Sequence, residues 1–276
     1  MTVLEVLKLA ADHFAKRAPD SPRLDAEVLL AHALGLRRLD LYLKFDRQLS
    51  EIELDTYREL VARRAKGEPV AYLVGHKEFM GLDFAVTPAV LIPNPDTEVL
   101  VQRAVEIARE AGRPLRIADV GTGSGCIAIA IAHYAPNVAV VASDVAPDAL
   151  EVAARNIAAH GLAGRVELVC GDLMAPFVGS FDLVCANLPY VAAGSDLARE
   201  VVAQPAQALF ADAHGSALVT RLLTEAPARL NPGGRALAEL DPSIASAAVD
   251  VAARNFTGHR VHSDLAGHQR VLEAWS

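Results

Sequence analysis

The sequence predicts an α/β fold with a parallel central sheet, preceded by a small N-terminal helical domain and a β-hairpin linker. Three observations lead there. From Arg116 onward, short β-branched and apolar runs alternate with helical patterns, the signature of βαβ units whose sheet is covered on both faces. Residues 1–67 show helical spacing only, whereas residues 68–95 carry aromatic and β-branched residues punctuated by Gly75 and Gly81. A chain of 276 residues that is 52% hydrophobic can bury a large core, which excludes disorder. No uninterrupted apolar stretch of roughly 18 residues occurs, so no membrane-spanning helix is expected.

Taken in order, Val3, Val6, Leu7, Ala10 and Phe14 follow helical spacing; with Glu5 and Asp12 among them they make an amphipathic helix, not a signal peptide. Ser21-Pro22 supplies a cap and a first-turn proline for the next helix, and Gly35 its stop. Ser50 and Glu53 form a capping box for a third, which ends at Gly67. After the expected hairpin, Pro93-Asn94-Pro95 is stiff and extended, and Asp96 is placed to cap a helix through residues 97–112. The expected domains are thus 1–67, helical; 68–95, hairpin linker; and 96–276, the α/β domain. In the last, strands are expected at RIADV, VAVVASD, VELVC, FDLVCAN, RALAEL, HRVHSD and RVLEAW, with helices at CIAIAIAHYA, PDALEVAARNIAAHG and SALVTRLLTEAPARL.

Charge is uneven. Residues 1–75 are neutral, so the net −8 resides entirely in the remainder, which counts against a basic nucleic-acid face. Cys126, Cys170 and Cys185 lie far apart in apolar segments, which argues against disulfides and a zinc site and points to buried, inert thiols in a cytoplasmic protein. No metal site is expected.

The run Asp119-Val120-Gly121-Thr122-Gly123-Ser124-Gly125 follows the first α/β strand and opens a helix. Glycine there permits a sharp turn and close approach of a ligand to free helix N–H groups. The spacing departs from the dinucleotide fingerprint, and no Gly-Lys-Ser/Thr follows for a nucleoside triphosphate. Asp144 ends the next strand, where a carboxylate accepts both hydroxyls of a ribose; the other reading is a helix cap before Pro147, and the glycine loop upstream favours the ribose. Asp172 ends the third strand, placed to meet an adenine amino group with Leu173 on the ring, or simply to form a turn.

Asn187-Leu188-Pro189-Tyr190 ends the fourth strand, on the same edge. The Asn187 carbonyl and the Leu188 backbone carbonyl are acceptors, Pro189 fixes the local backbone angle, and Tyr190 offers a flat face. Two acceptors and a stacking face suit a planar NH₂ donor, a carboxamide or an exocyclic amine.

Glycine loop, ribose acid and NLPY together resemble the class I methyltransferases that use S-adenosyl-L-methionine and act on amide or amine nitrogens. With SPRLDAEVLLAHALG, GEPVAYLVGHKEFMGLDFAVTPAVLIPNPDTE and DVGTGSGCIAIAIA, nearly the whole chain resembles the peptide chain release factor glutamine methyltransferases. The resemblance implies a Rossmann-like class I methyltransferase sheet, and methylation of the glutamine in the Gly-Gly-Gln motif of class I release factors. It implies cofactor contacts at Asp119, Gly121, Thr122, Gly123, Ser124, Gly125, Asp144, Asp172, Leu173 and Asn187, and a substrate clamp at Asn187, Leu188, Pro189 and Tyr190. It implies a release factor as partner, with no membrane or direct nucleic-acid binding. The chain departs from that family at Leu188, where proline is usual, at Asn94, where arginine is usual, and at Leu240-Asp241, where Ile-Gly is usual. Glu239 receives no role. The alternative is an adenine-N6 methyltransferase acting on RNA or DNA, since an exocyclic amine poses the same problem of a conjugated lone pair. A binding module that keeps the cofactor contacts without turnover is a third reading.

Overall fold

Helix-capping chemistry organises the first 76 residues. In the computed structural model, which describes residues 1–16, 21–192 and 194–276, Thr2 and Glu5 form a capping box that starts α1 (Val3–Phe14). Pro22 occupies the first turn of α2 (Pro22–Leu34), and Gly35 ends it in the left-handed conformation; the Ser21 hydroxyl, expected as a cap, makes no capping bond. A short α3 (Arg38–Leu43) precedes α4 (Glu51–Ala65), which opens on the expected Ser50–Glu53 capping box. Val3, Phe14, Leu29, Leu30, Leu41 and Leu60 fill the core between these helices. Arg64 and Asp25 meet in that core at 2.7 Å, and Arg64 also reaches Glu200 at 2.7 Å. Residues Val70–Val74, expected within the hairpin, form a short helix, α5, because Pro69 starts it and Gly75, at φ +81°, ends it.

By its contacts the chain separates into two compact units, Met1–His76 with Leu197–Ala203, and Lys77–Asp196 with Gln204–Ser276. The hairpin pairs β1 (His76–Phe79) with β2 (Leu82–Ala85) through Met80 and Gly81, both at positive φ. Within the second unit, Asn156 of the helix Pro147–Ala159 ties β2 to the glycine loop: its Oδ1 accepts from Ala85 N–H at 2.8 Å, and its Nδ2 donates to the carbonyls of Ala85 and Ser124. Past the hairpin, Asp96 does not cap the helix as expected. The Asn94 side chain accepts from Asp96 N–H and starts a 3₁₀ turn, Pro95–Thr97, which leads into α6 (Glu98–Glu110). The Asp96 carboxylate instead pairs with Arg270 at 2.9 Å.

The sheet is built from β3 (Leu115–Val120), β4 (Val138–Asp144), β5 (Val166–Cys170) and β6 (Phe181–Ala186), with α7 (Cys126–Tyr134) and α8 (Pro147–Ala159) as crossovers. A small pair, β7 (Val191–Ala192) and β8 (Phe210–Ala211), brackets α9 (Arg199–Val202) and α10 (Ala206–Leu209). Then follow α11 (Ala217–Glu225), β9 (Leu230–Glu239), α12 (Ala245–Asn255), β10 (Gly258–Ser263) and β11 (Gln269–Trp275). The order is β10-β11-β9-β6-β3-β4-β5; all neighbours are parallel except β11, which runs antiparallel to both β9 and β10. One face is covered by α6, α7 and the hairpin through Leu100, Ile129 and Phe84, the other by α11 and α12 through Leu222 and Ala248. The α12 segment escapes sequence reading because its buried face is Ala245, Ala248, Val251 and Ala252, too small-sided to stand out. Cys126 and Cys185 are buried as expected. Cys170 is exposed, which corrects the expectation for that thiol: it is the last residue of β5, where the strand leaves the core.

Candidate active site

β3 lies where the strand order reverses, with β4 on one side and β6 on the other, the place where ligands bind in open α/β sheets. Val120 pairs with Ser143 of β4 and Ala186 of β6, so Gly121, Asp144 and Asn187 leave the sheet side by side. Gly121 N–H and Thr122 N–H both donate to the Ser143 carbonyl, at 2.9 and 2.8 Å, which anchors the loop across β4. Gly121, Gly123 and Gly125 all adopt positive φ. A Cβ on Gly121 would stand 3.0 Å from the Leu188 side chain, and one on Gly125 3.1 Å from Ile129. Glycine therefore lets the loop close onto the tetrapeptide and lets α7 begin.

Asp119 lies beneath this loop, fully buried. Its Oδ2 accepts from Thr122 Oγ1 at 2.6 Å and Ala128 N–H at 3.2 Å, while Oδ1 has no hydrogen-bond partner among the described residues. Burial first, and the Asp144 charge after it, push its pKa up to about 7 against the pull of those two hydrogen bonds. Asp144 Oδ2 accepts from Gly123 N–H at 2.9 Å and Oδ1 from Ala146 N–H at 3.0 Å. Each oxygen keeps a further lone pair for a hydroxyl. Leu173 is buried at φ +43° and joins the cavity wall. The Asp172 carboxylate is half exposed and bonded to Arg221 at 2.5 Å, so that ion pair competes with any amino group it meets.

The Asn187 Nδ2 donates to Thr97 Oγ1 at 3.0 Å. The same carboxamide and the Thr97 hydroxyl face Glu239, which is 3% exposed and whose Oε2 has no hydrogen-bond partner among the described residues. Burial, and then the Asp96 charge, outweigh hydrogen bonding from Thr97 and Asn187 and the Arg270 charge, and push the Glu239 pKa up to about 7. Tyr190 packs on the second apolar layer, and burial raises its hydroxyl to about 12.

A cavity of about 1010 Å³, its open mouth included, joins these parts. Gly121 to Ser124, Asp144, Asp172, Leu173 and Asn187 to Pro189 line it; Asp119, Gly125 and Tyr190 stand outside its wall. The residues fit an adenosyl ligand: a glycine cradle, a carboxylate with spare acceptor capacity, and apolar Leu173 and Val145 for a ring. Sequence reading passed over Thr97 and left Glu239 without a role. The available signal was a lone acid closing the apolar strand RALAE at the same sheet edge as Asn187.

The PrmC N-terminal domain family matches residues 5–75 and the methyltransferase small domain family matches residues 95–216. Over 98% of this chain and 95% of its own length, a release factor glutamine methyltransferase of Rhodopirellula baltica is 40% identical. Another, of Moorella thermoacetica, is 40% identical over 100% and 99%. Among solved structures, a Thermus thermophilus 16S rRNA methyltransferase superposes with a TM-score of 0.55 at 17% identity, covering 73% of this chain and 49% of its own. A ribosomal protein L11 methylase of Lactobacillus delbrueckii does so with 0.51 at 22% identity, covering 66% and 80%. At those identities the likeness is one of fold.

Proposed function

The chain belongs to the release factor glutamine methyltransferases, and from that premise we propose how its residues carry the family's reaction. It transfers a methyl group from S-adenosyl-L-methionine to the side-chain amide nitrogen of a release factor glutamine, which we place in the Gly-Gly-Gln motif of class I factors. The observation that supports the site assignment is the Asn187 carboxamide: it lines the cavity beside the glycine loop with one Nδ2 hydrogen donated to Thr97 and the other turned to the Glu239 carboxylate. What it has left for a ligand is an acceptor, the group a substrate NH₂ requires.

Amide nitrogen is a poor nucleophile because its lone pair is delocalised into the carbonyl. When bound, S-adenosyl-L-methionine supplies an electrophilic methyl group on its sulfonium. Asn187 Oδ1 and the Leu188 carbonyl accept the two N–H groups of the substrate amide, turn its lone pair out of conjugation and stabilise the positive charge that grows on nitrogen. Pro189 holds the backbone in which the two acceptors converge, and Tyr190 supplies a flat face for the amide plane. Gly121 to Ser124 and Asp144 would hold the adenosyl end, and Leu173 would offer it an apolar face, with Gly125 shaping the loop from outside the cavity wall. Fixing donor and acceptor in attack geometry supplies up to roughly 7–11 kcal/mol in the best intramolecular cases. Once methylated, the nitrogen is acidic and releases its proton to water.

Residues 1–67 we assign to docking the protein substrate, because they contain no ligand-type loop, and we place the reaction in the cytoplasm, where release factors act. Tritiated-methyl transfer to a purified release factor and to ribosomal RNA, run side by side, tests the reading. Transfer to the release factor alone is expected; transfer to RNA alone refutes it in favour of adenine methylation.

A further inference from the structure

We infer that Glu239 is a positioning residue that decides which edge of the Asn187 carboxamide faces the substrate. The inference rests on the proposal that Asn187 accepts a hydrogen bond from the substrate amide.

The sheet register creates the arrangement. Ala186 of β6 pairs with Ala238 of β9, so the residues that follow them, Asn187 just past β6 and Glu239 at the end of β9, are neighbours. Thr97, 2% exposed, enters from the turn before α6 and completes the trio, with Glu239 buried beside it and Asn187 partly exposed to the cavity. A carboxamide has two edges of nearly equal shape, and packing alone does not choose between them. Hydrogen bonding does. A carboxylate only accepts, and a threonine hydroxyl has a single hydrogen to give. Because Thr97 Oγ1 accepts from Asn187 Nδ2, its own hydrogen is available to Glu239. While Glu239 is ionised, the sequence Asn187 to Thr97 to Glu239 runs in that one direction, and Oδ1 is left for the substrate. A protonated Glu239 is itself a donor. The sequence then runs equally well in reverse, Asn187 turns its NH₂ outward, and two NH₂ groups confront each other.

The groups facing Glu239 set where this happens. Asp96 disfavours its charge and Arg270 favours it; Thr97 and Asn187 offer hydrogen bonds, and the Tyr190 hydroxyl and Cys126 thiol, both raised by burial, stay neutral. Burial dominates and brings the titration to about pH 7. The clamp is therefore set correctly above that pH and is increasingly scrambled below it.

Two measurements on the full-length protein test this. The first needs no substrate: the Asn187 side-chain amide signal in ¹⁵N–¹H spectra, assigned by its loss in Asn187→Ala, is followed from acid to alkaline pH. A single transition near pH 7 is expected in the wild type and none in Glu239→Gln. The second is the pH profile of kcat with a release factor. Wild-type kcat should rise as a one-proton step through about pH 7, and Glu239→Gln should lack the step. Glu239→Ala, which removes the acceptor, should lower kcat about ten- to hundredfold with an unchanged Kd for S-adenosyl-L-methionine. A wild-type Asn187 signal that ignores pH, or a Glu239→Gln protein whose Asn187 signal keeps the transition, overturns the inference; a kcat step that Glu239→Gln keeps and Asp119→Asn loses belongs to Asp119. If Glu239→Gln fails to fold, the wild-type titration decides. If the wild type methylates no release factor at any pH, the functional reading fails while the spectra still decide the role of Glu239.

Discussion

Replacing Asp144 separates the loop-holding and ligand-holding parts of the site. Asp144→Ala deletes a carboxylate whose two oxygens hold Gly123 N–H and Ala146 N–H at 2.9 and 3.0 Å. Both amides are near the surface and regain water, so the cost to the empty protein is small, about 1 kcal/mol per bond or less. The larger loss falls on the ligand. Each hydrogen bond from a ribose hydroxyl to a carboxylate is worth about 1.5–3 kcal/mol, and the cavity is open enough to water that the pair together should reach no more than about 3 kcal/mol. At about 1.4 kcal/mol per decade, affinity for S-adenosyl-L-methionine should fall roughly ten- to hundredfold. Asp144→Asn should lose nearly as much, because one oxygen becomes an NH₂ donor aimed at a backbone N–H. Asp172→Ala should cost only a few-fold, since the Asp172 carboxylate is half exposed and already held by Arg221. Isothermal titration of the three variants, with melting curves to show that each is folded, gives the order. Wild-type affinity in both Asp144 variants would remove this residue from the site, and a larger loss for Asp172→Ala than for Asp144→Ala would reverse the assignment.

Asn187→Ala removes one of the two acceptors and should lower kcat by about a hundredfold or more, whereas Leu188→Pro keeps the backbone carbonyl and should stay within a few-fold; single-turnover rates distinguish them. Buried Asp25 pairs with Arg64 at 2.7 Å, and Asp25→Ala leaves that guanidinium with the Glu200 carboxylate and a long bond to the Glu68 carbonyl. The helical unit should lose about 3 kcal/mol in urea titration, with cofactor affinity unchanged. Glu273 is buried, which by itself raises its pKa, but hydrogen bonds from Arg103, Arg235 and His262 outweigh burial and bring it down to about 2. A depressed carboxylate stabilises the fold above the ordinary glutamate range, and that contribution disappears as pH falls toward 2. Wild-type melting temperatures should therefore drop across this window, and Glu273→Gln should flatten the drop; an identical acid profile in the variant would count against it.

The amino-acid order alone carried the local decisions. Capping boxes at Thr2 and Ser50, the first-turn Pro22 and the stop at Gly35 are written in contiguous residues, and so are the inner parallel strands, because a strand covered on both faces reads as a nearly continuous apolar run. The glycine loop was legible for the same reason: three positive-φ positions within five residues demand glycine at each. The elements that were misread are those whose identity depends on what they touch. The α12 helix presents mostly alanine, so only the sheet it packs on distinguishes its buried face. Val70–Val74 is helical despite β-type residues because Pro69 and Gly75 bound it more tightly than a strand allows. Asp172 lay at the expected edge, but the position of Arg221, 49 residues away, decided where its charge is spent. The trio of Asn187, Thr97 and Glu239 shows the limit most clearly. Its members lie 90 and 52 residues apart, and no spacing rule links them. Only the pairing of β6 with β9 and the turn before α6 bring an acceptor-only carboxylate behind a carboxamide. Hydrogen-bond direction is a property of neighbours in space, and chain order specifies such neighbours only after the sheet has formed.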